Sequence, residues 1–207
     1  VSEPLVSVVT ATYRRPRTVV ERAVASVACQ SYPAIEHIVV LDGPDEETEQ
    51  ALNRSGYLPR GPRRVVRLGR NWTVPFGNES NGAIARAAGG WLAAGKYVHW
   101  LDDDNIWQPQ HVAEMVALAE DSGADLICSD FAAPGGMLGV WDKPRVGNVD
   151  SSSFMIRADC LAVSTWQPDG YTCDGFLAER LVAAGCSWVR KPGATMQITS
   201  QRFGAPD

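Results

Sequence analysis

Three consecutive carboxylates, Asp102-Asp103-Asp104, and then Asn105, follow directly on the apolar run 97–101 (YVHWL). Adjacent carboxylates repel one another, which costs free energy unless a cation or hydrogen-bond donors compensate. Residues 102 and 104 can face the same ligand from a turn or a short extension of a strand. Their hard oxygens suit Mn2+ or Mg2+, ions that complete their shells with phosphate oxygens and water. Such a cation is what a departing diphosphate requires, because charge builds on the leaving oxygen as a bond to it breaks. The plainer reading is a solvated turn in which Asp104 or Asn105 caps the next helix.

The elements that would position this trio can be read from periodicity. Residues 5–12 (LVSVVTAT) form a β-rich apolar run that ends in the polar turn Tyr13-Arg14-Arg15-Pro16. A helix is expected over 16–29, with Val19, Val20, Ala23, Val24 and Val27 on one apolar stripe. Residues 35–41 (IEHIVVL) read as a second buried strand, ending in Asp42-Gly43-Pro44-Asp45. A short helix over 46–53, a strand over 64–68, a Gly- and Asn-rich loop over 69–82 and a helix over 83–94 capped by Gly95 come next. Beyond the strand at 97–101, a helix begins at Pro109 with Val112, Met115, Val116 and Ala119 at helical spacing. Later strands are expected at 125–129, 152–156 and 187–190, with a turn at 134–136 and a helix over 174–184.

Strands alternating with helices imply an α/β fold with a mostly parallel central sheet flanked by helices. Ligands of such sheets bind beyond the carboxyl ends of the strands. Three strands here end in polar, acidic or turn-forming residues, at 10–13, 42–45 and 102–105. If those strands are neighbours, the residues converge on one edge.

Composition sets the outer limits. The chain has 207 residues, 45% of them hydrophobic and 21% charged, enough for one α/β domain with a substantial core. A net charge of −5 argues against a nucleic-acid partner bound by bulk electrostatics. Five widely spaced cysteines without a CxxC pair are expected to be reduced thiols rather than a zinc site. The sequons at Asn71 and Asn78 carry little weight without a secretory signal. No apolar run reaches the ~20 residues needed to span a bilayer, so the expectation is a cytoplasmic protein, with peripheral attachment to a membrane left open.

The segments VSVVTATYRRP, SVACQSYPAIEHIVVLDG and ARAAGGWLAAGKYVHWLDDDN, in this order, resemble the nucleotide-binding half of family 2 glycosyltransferases of the GT-A fold. SSSFMIR and YTCDGFLAERLVAAG extend the likeness more loosely. The resemblance implies one GT-A-type domain over 1–207, with a Rossmann-like nucleotide-sugar half (1–110) and a smaller acceptor-side half (111–207). It implies a metal-dependent, inverting transfer of a sugar from a nucleoside diphosphate donor, a UDP- or dTDP-sugar first, to a hydroxyl of a sugar, glycan or small molecule. Thr10, Ala11, Tyr13, Asp42 and Arg86 then fall where the family contacts the nucleotide. Asp102 and Asp104 become the DXD pair that binds Mn2+ or Mg2+, with Asp102 nearer the ribose and Asp103 orienting the donor. The chain departs from the family in having Ala87 after Arg86 and Gly43-Pro44 after Asp42, and its three histidines all lie too early to complete the metal shell.

An inverting transfer needs a base for the acceptor proton. Asp174 opens a predicted helix, whose dipole favours its negative charge, and is the first choice. Asp150 and Asp169 compete, and Asp150 is also placed in the donor-sugar or acceptor pocket. Trp166 is the aromatic residue assigned to stack on a sugar, although a tryptophan is more often packing. A nucleotidyltransferase would carry a glycine-rich phosphate loop, and a dinucleotide-binding enzyme GxGxxG after strand one. The turn at 11–16 holds no glycine. A non-catalytic nucleotide- or carbohydrate-binding protein is the remaining alternative, and a homodimer is compatible with all of these readings.

Overall fold

A computed structural model of the chain describes residues 3–57, 61–73, 82–134, 136–139 and 142–199. Its centre is a seven-stranded sheet in the order β10-β6-β9-β4-β1-β2-β3. The strands are β1 (Val6–Thr12), β2 (Ile35–Leu41), β3 (Arg63–Arg67), β4 (Tyr97–Trp100), β6 (Leu126–Ser129), β9 (Phe154–Arg157) and β10 (Trp188–Lys191). β1 pairs in parallel with both β2 and β4, β2 with β3, and β6 with β10. β9 alone runs antiparallel, between β4 and β6. A second sheet, β5-β11-β7-β8, is built from β5 (Ile106–Trp107), β7 (Phe131–Ala133), β8 (Gly136–Leu138) and β11 (Met196–Gln197).

The central strands alternate their side chains between two cores, as the pleat requires. Val9, Val40, Val98, Trp100, Phe154 and Ile156 pack with α4 (Ala83–Trp91) and α6 (Cys173–Ala183). On the opposite face Val6, Val8, Tyr97, Ile127 and Met155 meet Ala23, Val27 and the buried stripe of α5 (His111–Ser122). That stripe is the expected Val112, Met115, Val116 and Ala119. A sheet covered on both faces explains why β2 is buried at every position.

Several boundaries differ from the periodicity. The first helix is three segments, α1 (Pro16–Val19), a π turn over Val20–Val24 and α2 (Ala25–Ala28). α3 (Glu46–Arg54) is capped by Asp45, whose side chain accepts from the Thr48 amide. α4 ends at Trp91 rather than at 94, and Gly95 is no cap. Its amide donates to the Ser7 hydroxyl instead. Ser151–Ser153 form a 3-10 turn ahead of β9, where a continuous strand was expected. All five cysteines are free thiols, and no described helix is long and apolar enough to cross a membrane. The Asn78 sequon lies outside the described residues.

Candidate active site

β1 and β4 are parallel neighbours, so Thr12 and the acidic trio emerge at the same carboxyl edge. After Thr12 the chain turns through Arg14, whose φ of 54° is unusual for a residue with a side chain. The Arg14 amide donates to the Asp45 carboxylate at 2.5 Å. Arg15 then lies beside the trio, with its guanidinium 2.7 Å from Asp103 and 3.2 Å from Asp104. The Thr12 hydroxyl donates to the other Asp103 oxygen at 2.7 Å. Burial pushes the Asp103 carboxyl up to about 7, against the stabilising charge of Arg15. Asp104 is also raised, by burial first and then by Asp102. Its backbone carbonyl accepts from Arg22 and Thr199.

Asp102 turns the other way. Arg86, on α4, meets one of its oxygens at 2.5 Å and the Ser151 hydroxyl donates to the other at 2.7 Å. The Asp102 amide donates to the Ser152 hydroxyl, and the Asn105 side-chain amide bonds the same hydroxyl at 2.9 Å. Arg86 reaches this point because α4 sits directly on β1. A Cβ at Gly89 would stand 2.3 Å from Val9 Cγ1, so only glycine permits the approach. Burial, the largest influence, weakens the hold of Arg86 on its proton, but the charge and hydrogen bond of Asp102 together with Cys173 and Asp174 outweigh it, and the net shift is upward.

A cleft of about 210 Å³ opens beside this pair, lined among others by Arg86, Asp102, Asp150, Trp166, Tyr171 and Asp174. Ligand pockets for drug-sized molecules run to roughly 300–1,000 Å³, so the cleft suits a single sugar ring better than a whole nucleotide sugar. Asp174 stands in the first turn of α6 and accepts from the Gly175 amide at 2.7 Å. Gly175 brings the helix start close to the chain at Val146, whose Cα would lie 2.4 Å from an added Cβ. Burial, followed by the Asp102 charge, pushes the Asp174 carboxyl up to about 6. Asp150 caps the 3-10 turn by accepting from the Ser152 amide, and the Asn105 side chain donates to it at 3.3 Å. Burial and the charges of Asp102 and Asp174 raise it well above the usual carboxylate range.

The edge therefore gathers Asp102, Asp103, Asp104, Arg86, Asp150 and Asp174. Other expected residues are placed differently. Trp166 is only 2% exposed and packs between Trp100 and Phe154 with Arg86 over its ring. It is a wall of the cleft rather than the open platform expected for a sugar, whereas Tyr171, also in the lining, is 72% exposed. The Thr10 hydroxyl is turned into the sheet, 3.0 Å from the His37 ring, instead of toward a nucleotide. Asp42 is buried and held by the Trp72 amide, the Thr73 hydroxyl and the Asn71 side chain, so its carboxylate anchors residues 71–73. Ala11 and Tyr13 are half-buried at the end of β1, with Arg14 over the Tyr13 ring. Asp169, the other competing acid, is paired with Arg180 at 2.6 Å. Arg15, Ser151 and Ser152 were not singled out from sequence; the only hints were the turn that holds Arg15 and the place of the serines after Asp150.

The described residues hold no cluster of three or more His, Cys, Asp or Glu side chains arranged for a metal. Asp102 and Asp104 are hard oxygen donors of the kind a divalent cation takes, and Asp102 raises the Asp104 carboxyl by repulsion; here each is paired with an arginine, Arg86 and Arg15.

Residues 7–180 match the family model described as glycosyl transferase family 2. An uncharacterised glycosyltransferase of Methanocaldococcus jannaschii is 26% identical over 120 residues, which is 58% of this chain and 39% of the relative. The mannosyltransferase PcManGT of Pyrobaculum calidifontis, solved with GDP-Man and Mn2+, superposes with a TM-score of 0.78 at 16% identity, covering 98% of this chain and 59% of that one. TarS of S. aureus, residues 1–349 with UDP-GlcNAc, gives a TM-score of 0.76 at 16% identity, covering 98% and 60%. The chain thus spans between two fifths and three fifths of these relatives.

Proposed function

Because the chain belongs to glycosyl transferase family 2, we propose that it transfers a sugar from a nucleoside diphosphate donor to an acceptor hydroxyl with inversion, using Asp174 as the base. The observation that carries this reading is that Asp174 lines the same cleft as Asp102 and Arg86, although these residues come from separate elements. The solved relatives that carry UDP-GlcNAc or GDP-Man lend support to a nucleotide-sugar donor.

Asp102 and Asp104 would hold a divalent cation, which when bound supplies positive charge to the departing diphosphate. The remaining work belongs to side chains. Arg86 fixes the Asp102 carboxylate, and Arg15 with Thr12 fixes Asp103, so the turn is preorganised before the donor arrives. The acceptor oxygen attacks the anomeric carbon as the bond from that carbon to the phosphate oxygen breaks. The hydroxyl proton passes to the Asp174 carboxylate, and the electron pair of the broken bond leaves with the diphosphate. A base with its pKa near 6 is ionised at neutral pH yet basic enough to accept a proton in the transition state.

The test is a panel of UDP-, dTDP- and GDP-sugars incubated with Mn2+. Slow donor hydrolysis that EDTA stops is expected. Donor binding without turnover of any of them would instead indicate a binding protein.

A further inference from the structure

The sulfurs of Cys160 and Cys186 stand 4.0 Å apart, in contact but unbonded. Hydrogen-bonded backbone places both. Cys160 lies in the 3-10 turn Ala158–Ala162 that follows β9, and its carbonyl accepts from the Val163 and Ser164 amides. Cys186 lies just beyond α6, where Gly185 takes a left-handed φ of 93° that a side chain would resist. The Gly185 amide donates to the Val182 carbonyl and the Cys186 amide to the Leu181 carbonyl, the pairing that ends many helices. The Cys160 sulfur is also 3.8 Å from the Asp125 carbonyl, immediately before β6. β6 runs in the same sense as β4, since β9 is antiparallel to both, so the pair sits at the sheet edge opposite the acidic trio. The two thiols differ in access: Cys186 is half-buried, whereas Cys160 is only 3% exposed. Burial, and then the neighbouring Cys186, pushes the Cys160 thiol up, so Cys160 is not the first to react.

We propose that Cys160 and Cys186 are an oxidisable pair, in which Cys186 takes up the oxidant and Cys160 closes a disulfide that staples the segment between them. The oxidant is a small-molecule disulfide of the glutathione type. Cys186 loses its proton and attacks one sulfur of the oxidant, whose S–S bond breaks and releases a thiolate that takes up a proton. Cys160 then loses its proton and attacks the Cys186 sulfur, expelling the second thiolate, which is protonated in turn. Two protein thiols have given up two electrons, and one small disulfide has become two thiols. The new bond joins residues 26 apart in sequence, and Trp166, Tyr171 and Asp174 all fall inside the ring it closes. A closed loop of this kind stabilises mainly by restricting the unfolded chain. One wall of the cleft is thereby tied at both ends, from the far edge of the sheet. The staple stands independently of the transfer reading.

The folded protein is incubated with oxidised glutathione and digested without reduction for mass spectrometry. A linked Cys160–Cys186 peptide should appear, while the exposed Cys29 keeps a glutathione adduct and serves as the control for reaction. Cys186→Ser should leave Cys160 unmodified, and Cys160→Ser should trap the adduct on Cys186. In Cys29→Ser, which removes the control adduct, the oxidised form should melt at least about 3 °C above the reduced form. A lasting adduct on Cys186 of the unaltered protein, or no change at either residue while Cys29 reacts, overturns the proposal. So does a link that forms only in denaturant, or an adduct on Cys160 in Cys186→Ser. Equal melting temperatures with the link in place would leave no staple, and overturn it equally.

Discussion

Two arginines divide the acidic edge into unlike halves. On one side Arg15 serves two carboxylates, Asp103 and Asp104, and Thr12 adds a hydroxyl to the first. On the other side Arg86 faces three, Asp102, Asp150 and Asp174, and is paired with Asp102. The first half has one guanidinium for two carboxylates, and its contacts keep the turn in place. The second has one guanidinium among three; carboxyls are raised in both halves, Asp103 and Asp104 in the first, Asp150 and Asp174 in the second, where Asp102 adds to the burial. Perturbed carboxylates gathered in a cleft are the ordinary mark of a working site. On this view Arg15 is scaffolding beside the expected cation, and chemistry belongs to the Arg86 side.

The sharpest division should appear at Asp174. Asp174→Asn is expected to lower the transfer rate by about 10²–10⁴-fold, the range for losing a general base, while donor affinity by calorimetry stays the same. Full activity in that variant would move the base to another residue and erase the contrast between the halves. Arg86→Gln comes next. It leaves Asp102 in a crowded acidic cleft without its guanidinium, and should cost about 3 kcal/mol of unfolding free energy in a denaturant titration.

These expectations depend on contacts that were unequally legible in the sequence. The apolar runs of β1, β2 and β4, each long enough to show its character, led to the parallel sheet and to the edge where Asp102–Asp104 emerge. The stripe of α5 was equally plain. β5, β7, β8 and β11 have two or three residues each, too few for any period to register. The Ser151–Ser153 turn was hidden because a serine run before FMIR reads as the start of a strand, whereas Asp150 caps it as a 3-10 turn. Trp166 and Tyr171 are near neighbours in sequence, and nothing in their spacing tells which ring enters the core. Packing against Trp100 and Phe154 decides it. Arg15 stood in a recognisable turn, but its partners lie 88 and 89 residues away.

Smaller effects sharpen the comparison from the Arg15 side. Asp104→Asn should weaken Mn2+-dependent donor binding by at least about tenfold with the fold unchanged by circular dichroism. Unaltered donor affinity would remove Asp104 from the metal. Arg15→Gln should cost only about 1 kcal/mol, well short of Arg86→Gln. The Arg15 side chain is 22% exposed against 9% for Arg86, so water can replace more of what is lost. Equal costs for the two substitutions would mean that the halves are not distinct in charge balance.

The mildest test is a change of pH. A base must be ionised to act, and Asp174 has its pKa near 6, so the rate should be close to its plateau at pH 7 and about half of it at pH 6. That acid limb should be absent from the residual rate of Asp174→Asn. Stability should respond in the opposite sense. The folded chain holds the Asp174 proton more tightly than the unfolded chain does, because burial raises this carboxyl above its usual 3.8. Its contribution is therefore complete below the unfolded value and is lost as pH rises through 6. Activity gained and stability surrendered over one window would identify a carboxyl held ready at a cost to the fold. An acid limb that survives in Asp174→Asn would assign the titration to a different group, with Asp150 the nearest candidate because Asp174 is among the charges that raise it.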